Sequence, residues 1–229
     1  MSSRRFGGFA GLGFVSTVLL ANIILGSTGL PRAGASRSEV LAYFADHGTA
    51  IGVATALATL AWMTLPMYAA GVVAAVRDHE RNFGDSWSLV ALAGAVMQNA
   101  IFASVAGIQA VLGLTTISDD VAWGLWQMHN ALFTLNCVSL VIVLVGVSIG
   151  GRRAGLLRGW QHKLGLTSAA AFAGAAVLTP VTIDGHPIGL LGFAGFALWL
   201  VWIASVSVAL LREPARRDIA PIAAVEATV

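Results

Sequence analysis

The chain has 229 residues, of which 57% are hydrophobic and only 10% charged, and its mean hydropathy is +0.82. A water-soluble domain of this size carries about 25% charged residues to cover its surface, so a soluble globular fold is excluded and much of the surface must face lipid. The formal net charge of +2 does not indicate a nucleic-acid partner; in a membrane protein the basic residues report topology. The single cysteine, Cys137, excludes an intramolecular disulfide and a thiolate-cluster metal site. Arginine outnumbers lysine twelve to one, the usage expected of a GC-rich bacterial genome.

Six stretches lack Asp, Glu, Lys and Arg: 6–31, 47–76, 86–118, 121–151, 164–183 and 185–211. About 20 helical residues cross a hydrocarbon core of roughly 30 Å, and backbone polar groups must be satisfied internally there. The expected fold is therefore all-α, a single domain of six transmembrane helices near 8–28, 49–76, 87–113, 123–149, 162–181 and 188–211. Alternating strands are not expected, since V-I-V-L-V at 141–145 is apolar on both parities. Eleven basic residues fall on one set of loops: Arg4, Arg5, Arg77, Arg81, Arg152, Arg153, Arg158, Lys163, Arg212, Arg216 and Arg217. The opposite set holds Arg32 and Arg37 alone. This bias predicts a multi-pass protein of the bacterial plasma membrane with both termini in the cytoplasm. Segments 29–48, 115–122 and 182–188 then face outside. Trp87 and Trp160 fit the inner interface, and Trp123 and Trp126 the outer one.

Ser3-Arg4-Arg5, an apolar run and Ala33-Gly34-Ala35 have the layout of a cleavable signal peptide. The run is long for one and contains Asn22, so the first span is expected to be retained. Segment 36–47 reads as a short amphipathic helix on the outer side, capped by Ser36 or Ser38. Span two contains Trp62, Thr64 and Tyr68, and Pro66 predicts a kink. Asp85 or Ser86 is expected to cap span three. Within that span Ala91, Ala95, Asn99, Ala103 and Gly107 recur at spacing four, an interval that lets helix backbones approach closely. Span four, 123–149, reads as one helix with a wide polar sector. Gln127, Asn130, Thr134 and Cys137 form one face, and His129 and Asn136 a second beside it. Span five is short and rich in Ala and Gly. Span six places Trp199 and Trp202 near mid-membrane, where with Trp62 they could line an aromatic pocket or simply fill core. Residues 212–229 form a cytoplasmic tail. The halves show no convincing inverted repeat.

His129 is the only histidine inside an apolar run, and no carboxylate or lysine sits at mid-membrane. That argues against an ion-driven pump or exchanger. Asn22, Gln109, Gln127, His129 and Asn130 map to the outer half, and Gln98, Asn99 and Asn136 to the middle. An outward-opening polar cavity explains this clustering, and so do plain interhelical hydrogen bonds of roughly 0.6 kcal/mol each. The candidate ligand-binding residues are His129, Asn130, Gln127, Gln109, Asn22, Asn99, Asn136 and Trp62. No cofactor or metal is expected: haem lacks a second intramembrane histidine, and no H-x-x-x-H or H-E-x-x-H spacing exists for zinc. Cys137 and His129 lie about 12 Å apart along one helix, too far to act as nucleophile and base.

The order of six spans, the segment G-L-P-R-A-G-A-S-R-S-E-V-L-A-Y-F-A-D-H after the first, and L-L-R-G-W-Q-H-K-L-G-L opening the fifth resemble a family of bacterial six-span membrane proteins of unknown function. The resemblance implies the fold and no catalytic residues. Three functions remain open from the residues: a protein that binds or translocates a small or lipophilic ligand, an integral-membrane enzyme acting on a lipid or isoprenoid, and an accessory subunit. The partners expected are the lipid bilayer, a small-molecule or lipid ligand, and a membrane-protein partner or second copy.

Overall fold

In the computed structural model, which describes residues 1–114 and 117–212, every regular element is helical. The helices are α1 (Ser3–Ser27), α2 (Arg37–Asp46), α3 (Gly48–Phe83), α4 (Trp87–Leu112), α5 (Asp119–Leu135), α6 (Cys137–Arg153), α7 (Gly159–Val177), α8 (Thr179–Ile183) and α9 (Leu190–Arg212). A single 3-10 turn, Pro187–Gly189, precedes α9. The tail from residue 213 lies outside the described residues.

Among the described residues, five stretches of helix are long and apolar enough to cross a membrane: Ser3–Ser27, Gly48–Phe83, Trp87–Leu112, Asp119–Arg153 and Pro187–Arg212. The fifth of the six expected spans, 162–181, corresponds to the 19-residue α7, which takes in Gln161, His162 and Lys163 in its first turns and is less apolar than the other five for it. It stops at Leu178, ahead of Pro180, and α8 restarts as a separate turn. Span four was expected as one helix over 123–149. It divides at Asn136, whose carbonyl accepts both the Ser139 N–H at 3.0 Å and the Ser139 hydroxyl at 2.6 Å. The Ser139 hydroxyl also lies 2.8 Å from Asn136 Oδ1, while the regular ladder continues through the junction, with the Asn136 N–H on the Leu132 carbonyl and the Leu140 N–H on the Asn136 carbonyl. Pro66 lies within the continuous helix α3.

The helix ends follow local chemistry. Ser36 accepts from the Glu39 N–H at 3.3 Å and starts α2. Asp119 and Asp120 open α5, where the helix dipole favours negative charge. Gly84, at φ 71, takes the left-handed conformation that ends α3. Ser86 is the N-cap residue of α4, as expected, but its side chain makes no capping bond; Glu80, buried on α3, supplies that bond from the neighbouring helix. Its carboxylate accepts the Ser88 N–H at 2.6 Å and also the Ser88 hydroxyl. Asp85 instead accepts both of its bonds from Arg153 at 2.7 Å, and that guanidinium lies over the Trp87 ring.

Six helices close into a ring in the order α1, α3, α4, α6, α7, α9 and back to α1. Their directions alternate. One end holds Arg4 against the Ala75 carbonyl, Glu80 against Ser88, Arg153 against Asp85, and Gly8 against Leu211. The other end holds Thr28 against Tyr43, Arg37 against Asp120, and Gly34 against Gly185. Helix α7 therefore runs from the first end to the second, since Gln161 bonds the Ser205 carbonyl and Gly174 meets Leu191. Helices α2, α5 and α8 build a cap over the second end, with Val40, Phe44, Ile51, Leu112 and Trp126 as its core.

The ring is tight because helix backbones touch. A methyl group built on Gly7 would sit 2.6 Å from Gly71 Cα, and one on Gly146 would sit 2.6 Å from Ala91 N. A methyl on Gly94 would lie 2.7 Å from Val143 N. The small stripe of α4 takes part only at its start. Ala91 and Ala95 are buried, whereas Ala103 and Gly107 are exposed. Four residues turn a helix about 400°, so a stripe at spacing four drifts about 40° per step and leaves the interface within four steps.

This contrast is testable by unfolding the protein in detergent. Gly146→Ala forces backbone apart and should lower stability by about 1–3 kcal/mol. Gly107 has open space around it, so Gly107→Ala should leave stability within about 0.5 kcal/mol.

Candidate functional site

The polar sector expected on span four is the buried face of α5. Ala122, Trp126, His129, Asn130 and Thr134 face inward, at the 4-3-1-4 spacing of one helical face. Trp126 is therefore not a belt residue; its ring is buried, with Phe44 edge-on at 5.6 Å. Along α5 the rings of Trp126, His129 and Phe133 stack nearly parallel, 5.4 and 6.1 Å apart.

The stack continues across helices. Phe133 meets Phe102 of α4 at 6.0 Å, and Phe102 lies 4.1 Å from Trp62 of α3. Phe14 of α1 stands edge-on between Trp62, at 5.2 Å, and Trp199 of α9, at 5.4 Å. An aromatic seam thus runs from the cap to the middle of the ring. Phe133 is 44% exposed, so the seam also reaches the outer surface of the bundle.

Buried polar atoms without a partner lie along this seam. They include His129 Nδ1, Asn130 Nδ2, Trp62 Nε1, Asn99 Oδ1 and Trp199 Nε1. Asn99 spends its Nδ2 on the Trp62 carbonyl at 3.2 Å, joining α4 to α3 beside the seam. Thr134 is satisfied within its own helix by the Asn130 carbonyl at 2.9 Å.

The remaining sequence-named residues sit elsewhere. Gln109 and Gln127 are half-buried, and no side-chain hydrogen bond holds either among the described residues. Asn22 is exposed and donates to the Val18 carbonyl of its own helix at 2.9 Å, so it does not point into the bundle. Asn136 is buried and engaged with Ser139 at the α5–α6 junction.

A second feature lies at the inner end of the seam. A void of about 10 Å³ sits at the ring's centre, lined by Leu65 and Tyr68 of α3, Gln98 of α4, Val143 of α6, and Trp199 and Ile203 of α9, among others. Both amide atoms of Gln98 and the Tyr68 hydroxyl are buried without partners. Gln98 and Tyr68 stood outside the residue set drawn from the sequence. Their signal was present, an amide and a phenol inside apolar runs, but their meeting depends on how α3 and α4 turn against α6 and α9. Trp199 was visible as a mid-span tryptophan, and it is the residue that joins seam to void.

Among the described residues no three metal-ligating side chains converge. The site can offer aromatic faces, one neutral-capable imidazole and several amide or indole groups that need hydrogen-bond partners. The fold and site together define an all-helical bundle with five helices long and apolar enough to cross a membrane and a buried aromatic seam with polar groups. Compared with known protein families, with curated proteins and with solved structures, the chain matches none of them.

Proposed function

We propose that the protein is a six-span integral membrane protein of the bacterial plasma membrane, with both termini cytoplasmic, that binds a small lipophilic ligand at the aromatic seam. The sixth span in this reading is α7. It is 19 residues long, about 28 Å of helix, and it runs between the two ends of the ring. Nine of the basic residues on the predicted inner loops lie at the end shared by Arg4 and Arg212, against Arg32 and Arg37 at the other.

The ligand reading is carried by one observation: His129 Nδ1 and Asn130 Nδ2 are buried side by side on a stacked aromatic column, with no hydrogen-bond partner beyond each other. Bare polar groups at this depth cost about 1–3 kcal/mol each, and a ligand that brings its own hydrogen-bonding head group relieves that cost. The flat ring faces suit an unsaturated or aromatic body, and the exposed edge of Phe133 gives it a lateral way in from the bilayer. The outward-facing pocket of Gln109, Gln127, His129 and Asn130 contracts in this reading to the pair at 129 and 130, with Trp62 and Asn99 further along. Binding fits the small free volume better than translocation does.

Sidedness tests the membrane reading. In a Cys137→Ala background, an impermeant thiol reagent applied to intact cells should label Asp184→Cys and Ser38→Cys but reach Arg158→Cys only after permeabilisation. Equal labelling of 158 and 184 from one side would mean that α7 does not cross.

Native mass spectrometry tests the ligand. Protein loaded with membrane lipid extract should retain a lipophilic small molecule. The double variant His129→Phe/Asn130→Leu keeps the stack and removes two hydrogen bonds, so occupancy should fall about tenfold or more at unchanged thermal midpoint. Undiminished retention by the folded variant, or no retained molecule in the natural protein, contradicts the proposal.

A further inference from the structure

We propose that the first turn of α7 is a binding site for the headgroup of an anionic phospholipid, built from Arg158, Trp160 and Lys163. This inference rests on the six-span reading and is independent of the ligand at the seam. All three side chains are exposed, Trp160 at 52%. Trp160 and Lys163 lie three residues apart and share one face of the helix with Thr167 and Ala170, which are exposed too. The opposite face, with Gln161, Gly165, Ser168, Ala169 and Phe172, is buried against α6 and α9.

The occupant follows from depth, charge and shape. Nineteen residues make about 28 Å of helix, so α7 just spans a hydrocarbon core and its first turn falls at headgroup level. An indole prefers that level, and long basic side chains reach phosphate there. No ion pair holds Arg158 or Lys163 among the described residues. The described carboxylates of this end are Asp78, Glu80 and Asp85, on α3 or in the turn after it, and α3 stands across the ring from α7. Glu80 is bonded to Ser88 and Asp85 to Arg153. The cations of α7 therefore carry uncompensated charge. Further along the same side of the helix the charge stops: Thr167 and Ala170 are small, and Val177 is 80% exposed. A soluble acidic partner would match the cations but not this apolar track. A phosphate above an acyl chain matches both.

The test places the full chain in phosphatidylcholine bilayers and reads Trp160 fluorescence as the difference made by Trp160→Phe in each background. Brominated lipid quenches an indole on contact. Brominated phosphatidylglycerol should quench Trp160 at a mole fraction at least about fivefold lower than brominated phosphatidylcholine does, the effect of one basic residue beside a charged leaflet. Arg158→Gln/Lys163→Gln should abolish that preference. Arg77→Gln/Arg81→Gln removes the same charge at the same end, on α3 across the ring, and should leave it intact. Equal quenching by the two lipids, a preference that survives Arg158→Gln/Lys163→Gln, or one lost just as fully in Arg77→Gln/Arg81→Gln would each overturn the proposal. Should the α7 double variant fail to fold, Lys163→Gln alone should lower the preference severalfold. The two readings fail differently. Labelling of positions 158 and 184 from one side defeats the sixth span, whereas absent lipid preference with 158 and 184 on opposite sides defeats the headgroup site alone.

Discussion

Contact between helix backbones is the constraint on which this structure depends. In lipid, apolar side chains gain little by turning inward, because the acyl chains outside are just as apolar. Cohesion must come from close packing, and close packing needs positions without side chains. Gly7 on Gly71, Gly146 on Ala91, and Gly94 on Val143 supply them, one interface after another. At Gly165 the space of a missing side chain is filled by Ser148 and by the Trp202 indole. The ring closes because each neighbour can come near enough.

The same closeness shapes the centre. Helices drawn together at their glycines leave little volume inside, and large rings fill most of it: Phe14, Tyr68, Trp199 and Trp202 are all buried. Among the described residues the centre holds a seam of aromatic faces and a void of about 10 Å³. Polar groups held in such a place have few protein partners. Gln98, Tyr68, His129 and Asn130 each keep at least one buried atom without one. At the basic end the pattern reverses. Glu80, Ser88, Asp85 and Arg153 satisfy one another and pin α3, α4 and α6 together.

Much of the fold was legible because charge marks the loops. The expected third span, 87–113, and the observed Trp87–Leu112 nearly coincide, and the outer helix expected at 36–47 is Arg37–Asp46. The misses have local causes. The junction at Asn136, inside the helical stretch Asp119–Arg153, is marked by a serine three residues on turning its hydroxyl back, which no apolar pattern records. The capping bond of α4 comes from Glu80, a residue that reads as part of a polar loop but lies in the last turns of a long helix. The polar sector of α5 was visible as a face, yet the direction of that face was not. Asn22 shows why: depth along the chain placed it with His129, but it turns outward and bonds its own helix. Periodicity gives which residues share a side. It does not give which helix lies opposite, and the site is made of such pairings.

Closure of the ring is tested most directly where its first and last helices meet. Gly8 packs against Leu211, joining α1 to α9 across nearly the whole chain length. In a Cys137→Ala background, Gly8→Cys with Leu211→Cys should form an intramolecular disulfide in high yield under mild oxidation in the membrane, while Gly8→Cys with Leu112→Cys should not. Failure of the 8–211 pair to cross-link in folded protein, or equal cross-linking of both pairs, would contradict a closed six-helix ring.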